Sequence, residues 1–199
     1  MQSTCGAPLD AHLGEETDSM AGTLIILRGE SLTGKTAAAR RLARSFRKGA
    51  HVEIDRLLGF FPEDRPNPSQ IQVALLSAAA CADNLLAAGF DTIVEWLFWE
   101  PELLDFFLGA LRNRNCEIHL LTLCASSEIR RARRSLMVAA PDRSSKSDTS
   151  VRLIGDRDRR GARIDTSSLT LDAVCSAIAE IVDGRRSLLE PLLIARGKP

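Results

Sequence analysis

The sequence lacks an excess of charge of either sign. Its 199 residues include 26 Lys and Arg and 26 Asp and Glu, so the formal net charge is zero. A neutral chain has no general electrostatic attraction to nucleic acid or to an anionic membrane surface. We therefore expect neither a membrane nor a long nucleic acid as a partner, and nothing in the sequence indicates an oligomer.

A membrane-spanning run, a secretory signal and a cysteine framework are also missing. No uninterrupted apolar stretch approaches the roughly 20 residues that a spanning helix needs. The N-terminus has no basic start followed by an apolar segment. The five cysteines are scattered and odd in number, and the three histidines show no triad or metal-ligand spacing. These absences predict a cytoplasmic protein with free thiols.

The order of apolar runs and helical patterns predicts one α/β domain. Residues 1–21 mix small, polar and acidic residues without apolar periodicity, which is typical of a flexible extension. The domain is predicted over 22–184, and 185–199 forms a tail. Within the domain, apolar runs alternate with helical patterns, as in a parallel sheet. The predicted strands cover 23–27, 51–55, 91–95, 117–123 and 163–165.

One motif carries most of the functional information. It is a full match to the pattern GxxxxGK[ST], formed by Gly29-Glu30-Ser31-Leu32-Thr33-Gly34-Lys35-Thr36. The motif directly follows an apolar strand and opens a predicted helix, which is the context that a phosphate-binding P-loop requires. Its glycines allow backbone N–H groups to surround phosphate oxygens at a helix N-terminus. Lys35 is expected to reach the β- and γ-phosphates of ATP, and the Thr36 hydroxyl is expected to bind Mg²⁺.

Further along the chain, several segments add to this motif in a fixed order. They are His51-Val52-Glu53-Ile54-Asp55-Arg56-Leu57, Asp91–Glu95, Leu121–Cys124 followed by an Arg-rich helix, and Ile164–Ser167. With them, the chain from about Thr23 to Val182 resembles the small P-loop kinases of the zeta-toxin and chloramphenicol phosphotransferase type. That group also includes gluconate, shikimate and adenylylsulfate kinases. The resemblance implies a five-stranded parallel sheet of order 2-3-1-4-5 with an arginine-bearing lid at about 127–163.

Asp55 is the candidate catalytic base. It lies at the predicted C-terminal end of the second strand, on the rim where open α/β sheets bind their ligands. In the kinases that the chain resembles, this carboxylate accepts the proton of the acceptor hydroxyl. The alternative is a helix N-cap or a surface aspartate. Glu53, two residues earlier, is expected on the same face of the strand and is the second candidate.

Glu95 ends the third predicted strand, where related kinases carry the acid that orders the magnesium shell. We expect it to hold Mg²⁺-bound water together with Thr36. Two alternatives remain open: contact with acceptor hydroxyls, or a surface salt bridge.

The arginines are concentrated in one quarter of the chain. From Arg130 to Arg163 there are eleven basic residues against four acidic ones. This segregation favours ATP entry and the stabilisation of transition-state charge. Arg133 and Arg134 are predicted to contact the transferred phosphate, and Arg130 shares their helix face at i+3 and i+4 spacing. The resemblance alone places Arg163 beside the nucleotide.

Five of the nine aromatic residues closely follow Asp55 or Glu95 in the sequence. These are Phe60, Phe61, Trp96, Phe98 and Trp99. They are expected to form an apolar wall for the acceptor, or to cap the core beneath the lid.

Together these features predict an ATP- and Mg²⁺-dependent phosphotransferase. Its expected acceptor is a hydroxyl of a small, partly apolar molecule such as an antibiotic, a nucleoside or another secondary metabolite. A nucleotide or polynucleotide kinase and a nucleotide-binding regulatory NTPase are the alternatives.

Overall fold

The computed structural model describes residues 22–63, 65–113, 115–136 and 158–189. Five strands form one parallel sheet of order β2-β3-β1-β4-β5. The strands are β1 (Leu24–Gly29), β2 (Gly49–Glu53), β3 (Asp91–Trp96), β4 (Ile118–Cys124) and β5 (Ala162–Asp165). This confirms the fold class and the strand order expected from the sequence.

Within the described residues, six helices surround the sheet. They are α1 (Lys35–Ser45), α2 (Ile54–Leu58), α3 (Pro68–Ala87), α4 (Pro101–Ala110), α5 (Ser127–Leu136) and α6 (Leu171–Asp183). The start of α3 follows from its sequence, because the side chains of Asn67 and Gln70 each accept a hydrogen bond from the other residue's backbone N–H. Pro68 occupies the first turn, where its missing N–H costs nothing.

Two apolar cores lie on opposite faces of the sheet. Alternate residues of β1 divide between them, because successive side chains of a strand point to opposite faces. Ile26 and its neighbours pack against α3 and α4, whereas Ile25 and Leu27 pack against α1 and α6. Because all five strands are parallel, their carboxyl ends meet at one edge of the sheet, and this edge positions the candidate site.

The second strand ends earlier than its sequence pattern predicts. β2 stops at Glu53, and the chain turns at once into the short helix α2, which contains Asp55. Strand alternation does not continue beyond Glu53, so the expectation that Glu53 and Asp55 share one face of a strand is wrong. This helix also includes Leu57 and Leu58.

By length and composition alone, α3 could cross a membrane, although the sequence shows no uninterrupted apolar run of that length. In the structure, one face of α3 packs against the sheet and α4 and belongs to the apolar core on that side. Its buried residues are Ala74, Leu75, Ala78, Ala79, Ala82 and Leu86.

The first residues of the predicted tail extend the sheet edge. Leu188 forms an antiparallel bridge with His119 of β4, beyond the point where β5 pairs. The side chain of His119 is fully buried and lies 3.1 Å from the Ser187 hydroxyl. The extension 1–21, most of the predicted lid (137–157) and the tail from residue 190 lie outside the described residues.

Candidate active site

The phosphate loop connects β1 to α1 at the centre of the sheet. Gly29 has φ +146°, and a Cβ there would lie 2.1 Å from the Leu123 carbonyl oxygen. Gly34, which precedes the first residue of α1, has φ +95°. Leu32 also has a positive φ, 67°. Turns of this kind in front of a helix N-terminus allow backbone N–H groups to surround an anion.

Lys35 lies beneath the loop and is 8% exposed. Its Nζ donates a hydrogen bond to the Glu30 carbonyl oxygen at 2.9 Å, which also accepts the Thr33 hydroxyl at 2.9 Å. Burial lowers the pKa of Lys35, although the carboxylates of Glu95 and Asp55 oppose this shift. The ammonium group is thus held inside the loop, within the region where the motif places phosphates.

Thr36 and Glu95 are joined directly. The Thr36 hydroxyl donates to Glu95 Oε1 at 2.7 Å, which links the first turn of α1 to the end of β3. Glu95 is only 3% exposed, so it is no surface salt bridge. Burial raises the pKa of Glu95, while Lys35 and the Thr36 hydrogen bond oppose this rise. A buried carboxylate beside a hydroxyl is a set of hard oxygen donors that fits Mg²⁺.

Asp55 lies on α2 and is exposed to solvent. Its Oδ1 accepts a hydrogen bond from the Trp96 indole N–H at 2.9 Å. Trp96 is the last residue of β3, directly after Glu95, and is buried. The two acids therefore sit on adjacent elements at the same sheet edge, one buried and one exposed.

Glu53 has a different environment from Asp55. Its Oε2 accepts hydrogen bonds from Arg40 and Arg56, each at 2.9 Å. Burial tends to raise the pKa of Glu53, but these two guanidinium groups outweigh that effect and lower it. A carboxylate neutralised by two arginines is a weaker proton acceptor than one that is free of them.

The arginines of α5 face the loop in different ways. Arg133 donates to the Leu32 carbonyl at 2.9 Å and to the Thr166 carbonyl at 2.7 Å, so it ties the phosphate loop to the segment after β5. Arg130 forms an ion pair with the Glu30 carboxylate at 2.8 Å. Arg134 is half-buried on the same helix, and Arg163 is exposed on β5.

The aromatic residues divide between core and surface. Trp96 and Phe98 are buried and make an edge-to-face contact at 5.4 Å between ring centroids. Trp99 is half-buried against Trp96, with ring centroids 4.8 Å apart. Phe61 is half-buried, and Phe60 is 81% exposed. Trp99 thus retains accessible apolar surface next to the core, and Phe61 is also partly accessible.

Sequence reasoning missed a buried charge network beside the loop. Arg28, the residue before Gly29, is 1% exposed and bonds to the Asp158 carboxylate at 2.6 Å and the Thr122 hydroxyl at 2.8 Å. Arg160 also binds Asp158. Burial raises the pKa of Asp158, but hydrogen bonds from Arg160 and Arg28 prevail and lower it to about 2. The available signal was a lone arginine within an apolar strand, since a buried charge needs a partner.

No protein-family model and no curated protein matches the sequence. Solved structures of several kinases are similar in fold. An APS kinase from Mycobacterium tuberculosis, in complex with AMPPNP and APS, has a TM-score of 0.66 at 13% identity, with 82% of this chain and 98% of that chain covered. A tunicamycin resistance protein from Deinococcus radiodurans has a TM-score of 0.56 at 20% identity, covering 85% and 99% of the two chains.

A gluconokinase from Sinorhizobium meliloti gives a TM-score of 0.54 at 15% identity, with 83% and 98% covered. In each case nearly the whole of the solved chain is matched, and the strand order seen here agrees with the P-loop kinase fold. The chain therefore has the fold of the small P-loop kinases that its motifs resemble.

Proposed function

We propose that this protein transfers the γ-phosphoryl group of ATP to a hydroxyl of a small, partly apolar acceptor. The observation that carries the proposal is the pair of carboxylates at the sheet edge. Glu95 is buried and bonded to the P-loop threonine, whereas Asp55 is exposed one element away. A site with one acid for the metal and another for the acceptor is suited to transfer rather than to nucleotide binding alone.

The phosphate end of the nucleotide is assigned to the loop. Backbone N–H groups of 29–36 would bind its oxygens, and Lys35 would exchange its bond to the Glu30 carbonyl for the β- and γ-phosphates. Thr36 and Glu95 would hold Mg²⁺, which when bound neutralises charge that develops on the phosphates. Arg133 keeps the Leu32 carbonyl fixed and so supports the shape of the loop.

The acceptor end is assigned to Asp55. Its carboxylate takes the proton of the acceptor hydroxyl as that oxygen forms a bond to the γ-phosphorus, and the bond from the γ-phosphorus to the bridging oxygen of ADP breaks. The Trp96 indole N–H holds one carboxylate oxygen in place, which leaves the other for the acceptor. Arg130 and Arg134 on α5 are proposed to contact the nucleotide once it is bound, and Arg163 is proposed to lie beside it.

The acceptor class is inferred from the surface around Asp55. Two half-buried aromatic residues lie close to this acid: Trp99 packs against the Trp96 ring that bonds to Asp55, and Phe61 follows Asp55 by six positions. Such a rim suits a molecule with a flat or greasy part, and the tunicamycin resistance protein of similar fold is consistent with an antibiotic acceptor. Phe60 would contribute only by closing over a bound acceptor, because it is mostly exposed.

The test is a screen for acceptor-dependent ADP release across nucleosides, antibiotics and sugar acids, with Lys35→Ala as the matched control. We expect at least one hydroxyl compound to raise ADP release well above the rate without acceptor, and Lys35→Ala to lower that rate by about 10³-fold. Release of ADP that no acceptor accelerates, even with nucleotides and oligonucleotides included, would indicate a regulatory NTPase instead.

A further inference from the structure

Beside the Thr36–Glu95 pair, three potential metal ligands meet on one face of the sheet. β2 and β3 pair in parallel, with Glu53 opposite Glu95 and His51 opposite Ile93. Because strand side chains alternate, His51 and Glu53 share the face that Glu95 occupies. One ligand atom from each of the three residues lies within 4.8 Å of the other two, and His51 Nε2 is 3.9 Å from Glu95 Oε1.

His51 is the unusual member of this cluster. Its Nε2 is buried and has no hydrogen-bond partner among the described residues, and its side chain is 12% exposed. The separation of 3.9 Å from Glu95 is too long for a hydrogen bond. A buried polar atom without a partner is unfavourable and calls for an explanation such as an absent ion.

We propose that His51, Glu53 and Glu95 form a binding site for a transition-metal dication of the Zn²⁺ class. One imidazole nitrogen and two carboxylate oxygens are a donor set that Zn²⁺ and Co²⁺ accept, whereas Mg²⁺ and Ca²⁺ take oxygen ligands. Three protein ligands leave one position of a tetrahedral site for water or a ligand.

The three ligand atoms lie within 4.8 Å of one another, so they must approach by at most about 1.4 Å to bind one tetrahedral ion. Bonds of about 2.0–2.1 Å to a tetrahedral Zn²⁺ place its ligand atoms about 3.4 Å apart. The observed 3.9 Å between His51 and Glu95 must therefore shorten by about 0.5 Å, which a rotation of the glutamate side chain provides. Glu53 is already oriented, because Arg40 and Arg56 both bond to its Oε2 and leave Oε1 for the metal. Such outer partners are common around metal-bound carboxylates.

The new site shares Glu95 with the proposed Mg²⁺ position, so the two metals would compete for this carboxylate. The metal-site proposal depends on the proposed function only through this shared use of Glu95. Binding is therefore measured on the full chain without nucleotide, by titration with Co²⁺ and absorption spectroscopy. A failed acceptor screen then leaves the metal site standing, and a failed Co²⁺ titration leaves the kinase proposal standing.

We expect the wild-type protein to bind one equivalent of Co²⁺ with visible bands of nitrogen and oxygen coordination and no thiolate charge-transfer band. His51→Gln should weaken binding at least 10-fold, whereas His12→Gln and Cys81→Ser should leave it unchanged. No binding by the wild type, thiolate bands that Cys81→Ser removes, or equal affinity in His51→Gln would each overturn the proposal.

A second measurement covers the case in which His51→Gln does not fold. In the wild-type protein, ¹⁵N spectra of the three histidine rings are recorded with and without Zn²⁺. The proposal requires the resonances assigned to the His51 ring to change on addition of one equivalent. A spectrum in which that ring does not respond to Zn²⁺ would contradict it.

Discussion

The Trp96 indole N–H donates to Asp55 Oδ1 at 2.9 Å, and this contact joins the buried end of β3 to an exposed residue in the first turn of α2. Trp96 directly follows Glu95 in the chain. Trp96 therefore connects the proposed base, Asp55, to the proposed metal ligand, Glu95. The orientation of Asp55 then depends on the core, since Trp96 is itself packed against Phe98.

This contact predicts a positioning role for Trp96. Trp96→Phe removes the N–H while keeping an aromatic ring in the core. We expect acceptor phosphorylation to fall about 10-fold through kcat, with the KM for ATP nearly unchanged. This loss is smaller than the roughly 10²–10⁴-fold that a positioned base contributes, because the Asp55 carboxylate is still present. Trp99→Phe is the matched control, because its ring also packs in this cluster. Equal losses in the two variants would show that packing, and not the hydrogen bond, is responsible.

The burial of Glu95 predicts that its replacement by Gln raises the stability of the protein but lowers its activity. Burial raises the pKa of this acid in the folded state, so its contribution to stability is present below the unfolded pKa and is lost as pH rises through the folded pKa. Without metal or nucleotide, Glu95→Gln should therefore unfold at a higher temperature than the wild type at pH 7. The difference should vanish near pH 4, where both side chains are neutral.

The same variant should lose most of its phosphotransfer activity and need more Mg²⁺. Thermal melts across pH and a Mg²⁺ titration of the rate provide the two readouts. A Glu95→Gln protein that is less stable at pH 7 and fully active would contradict the assignment of Glu95 to the metal.

The bond from Arg133 to the Leu32 carbonyl predicts that removing the Arg133 side chain makes the phosphate loop less ordered, beyond the effect of losing one charge. Arg133→Ala removes the bond to the Leu32 carbonyl, so amide hydrogen exchange across 30–36 should become faster in the nucleotide-free protein. Arg134→Ala is the matched control, since it removes an equal charge from the next residue of α5. If both variants exchange as the wild type does, Arg133 does not support the loop.

The Arg28–Asp158 pair predicts a large cost for breaking one partner. Asp158→Ala leaves the buried Arg28 guanidinium uncompensated and should lower the free energy of unfolding by about 3–5 kcal/mol. The double variant Arg28→Met, Asp158→Leu should recover much of that loss, because apolar side chains can replace a buried ion pair. Denaturant unfolding of the single and double variants measures both effects. A double variant that is no more stable than Asp158→Ala would argue against the pair.

This pair also gives a pH dependence. The pKa of Asp158 is lowered to about 2, so its contribution to stability is present above the unfolded pKa of an aspartate and is lost as pH falls toward 2. Acid unfolding of Asp158→Ala should be correspondingly less steep between about pH 4 and pH 2 than that of the wild type.

The sequence predicts the sheet well because its signals are local. Apolar runs mark the strands, and the P-loop motif fixes β1, α1 and the turn between them. The contacts that shape the site join distant parts of the chain and leave no local pattern. Arg28 meets Asp158 across 130 positions, and Arg133 meets Leu32 across 101.

The end of β2 illustrates the same limit. The run from His51 to Asp55 is apolar and alternating enough to suggest a strand, but the chain turns into α2 at Ile54, which is fully buried. Burial of Ile54 in the α3 side of the core then directs Asp55 toward Trp96. The orphaned ring nitrogen of His51 was equally hidden from sequence, because it depends on what faces the strand.

The central claim is that Asp55 acts on an acceptor hydroxyl while the loop holds ATP. The most direct measurement follows γ-³²P from ATP in wild type and Asp55→Asn, together with the affinity of each for ATP. Asn keeps the size of Asp and can still bond to Trp96, but it cannot take a proton. We predict label on the acceptor with the wild type, transfer reduced by about 10²–10⁴-fold in Asp55→Asn, and nearly equal ATP affinity. Normal transfer by the variant, or label found only as inorganic phosphate with the wild type, would contradict the account.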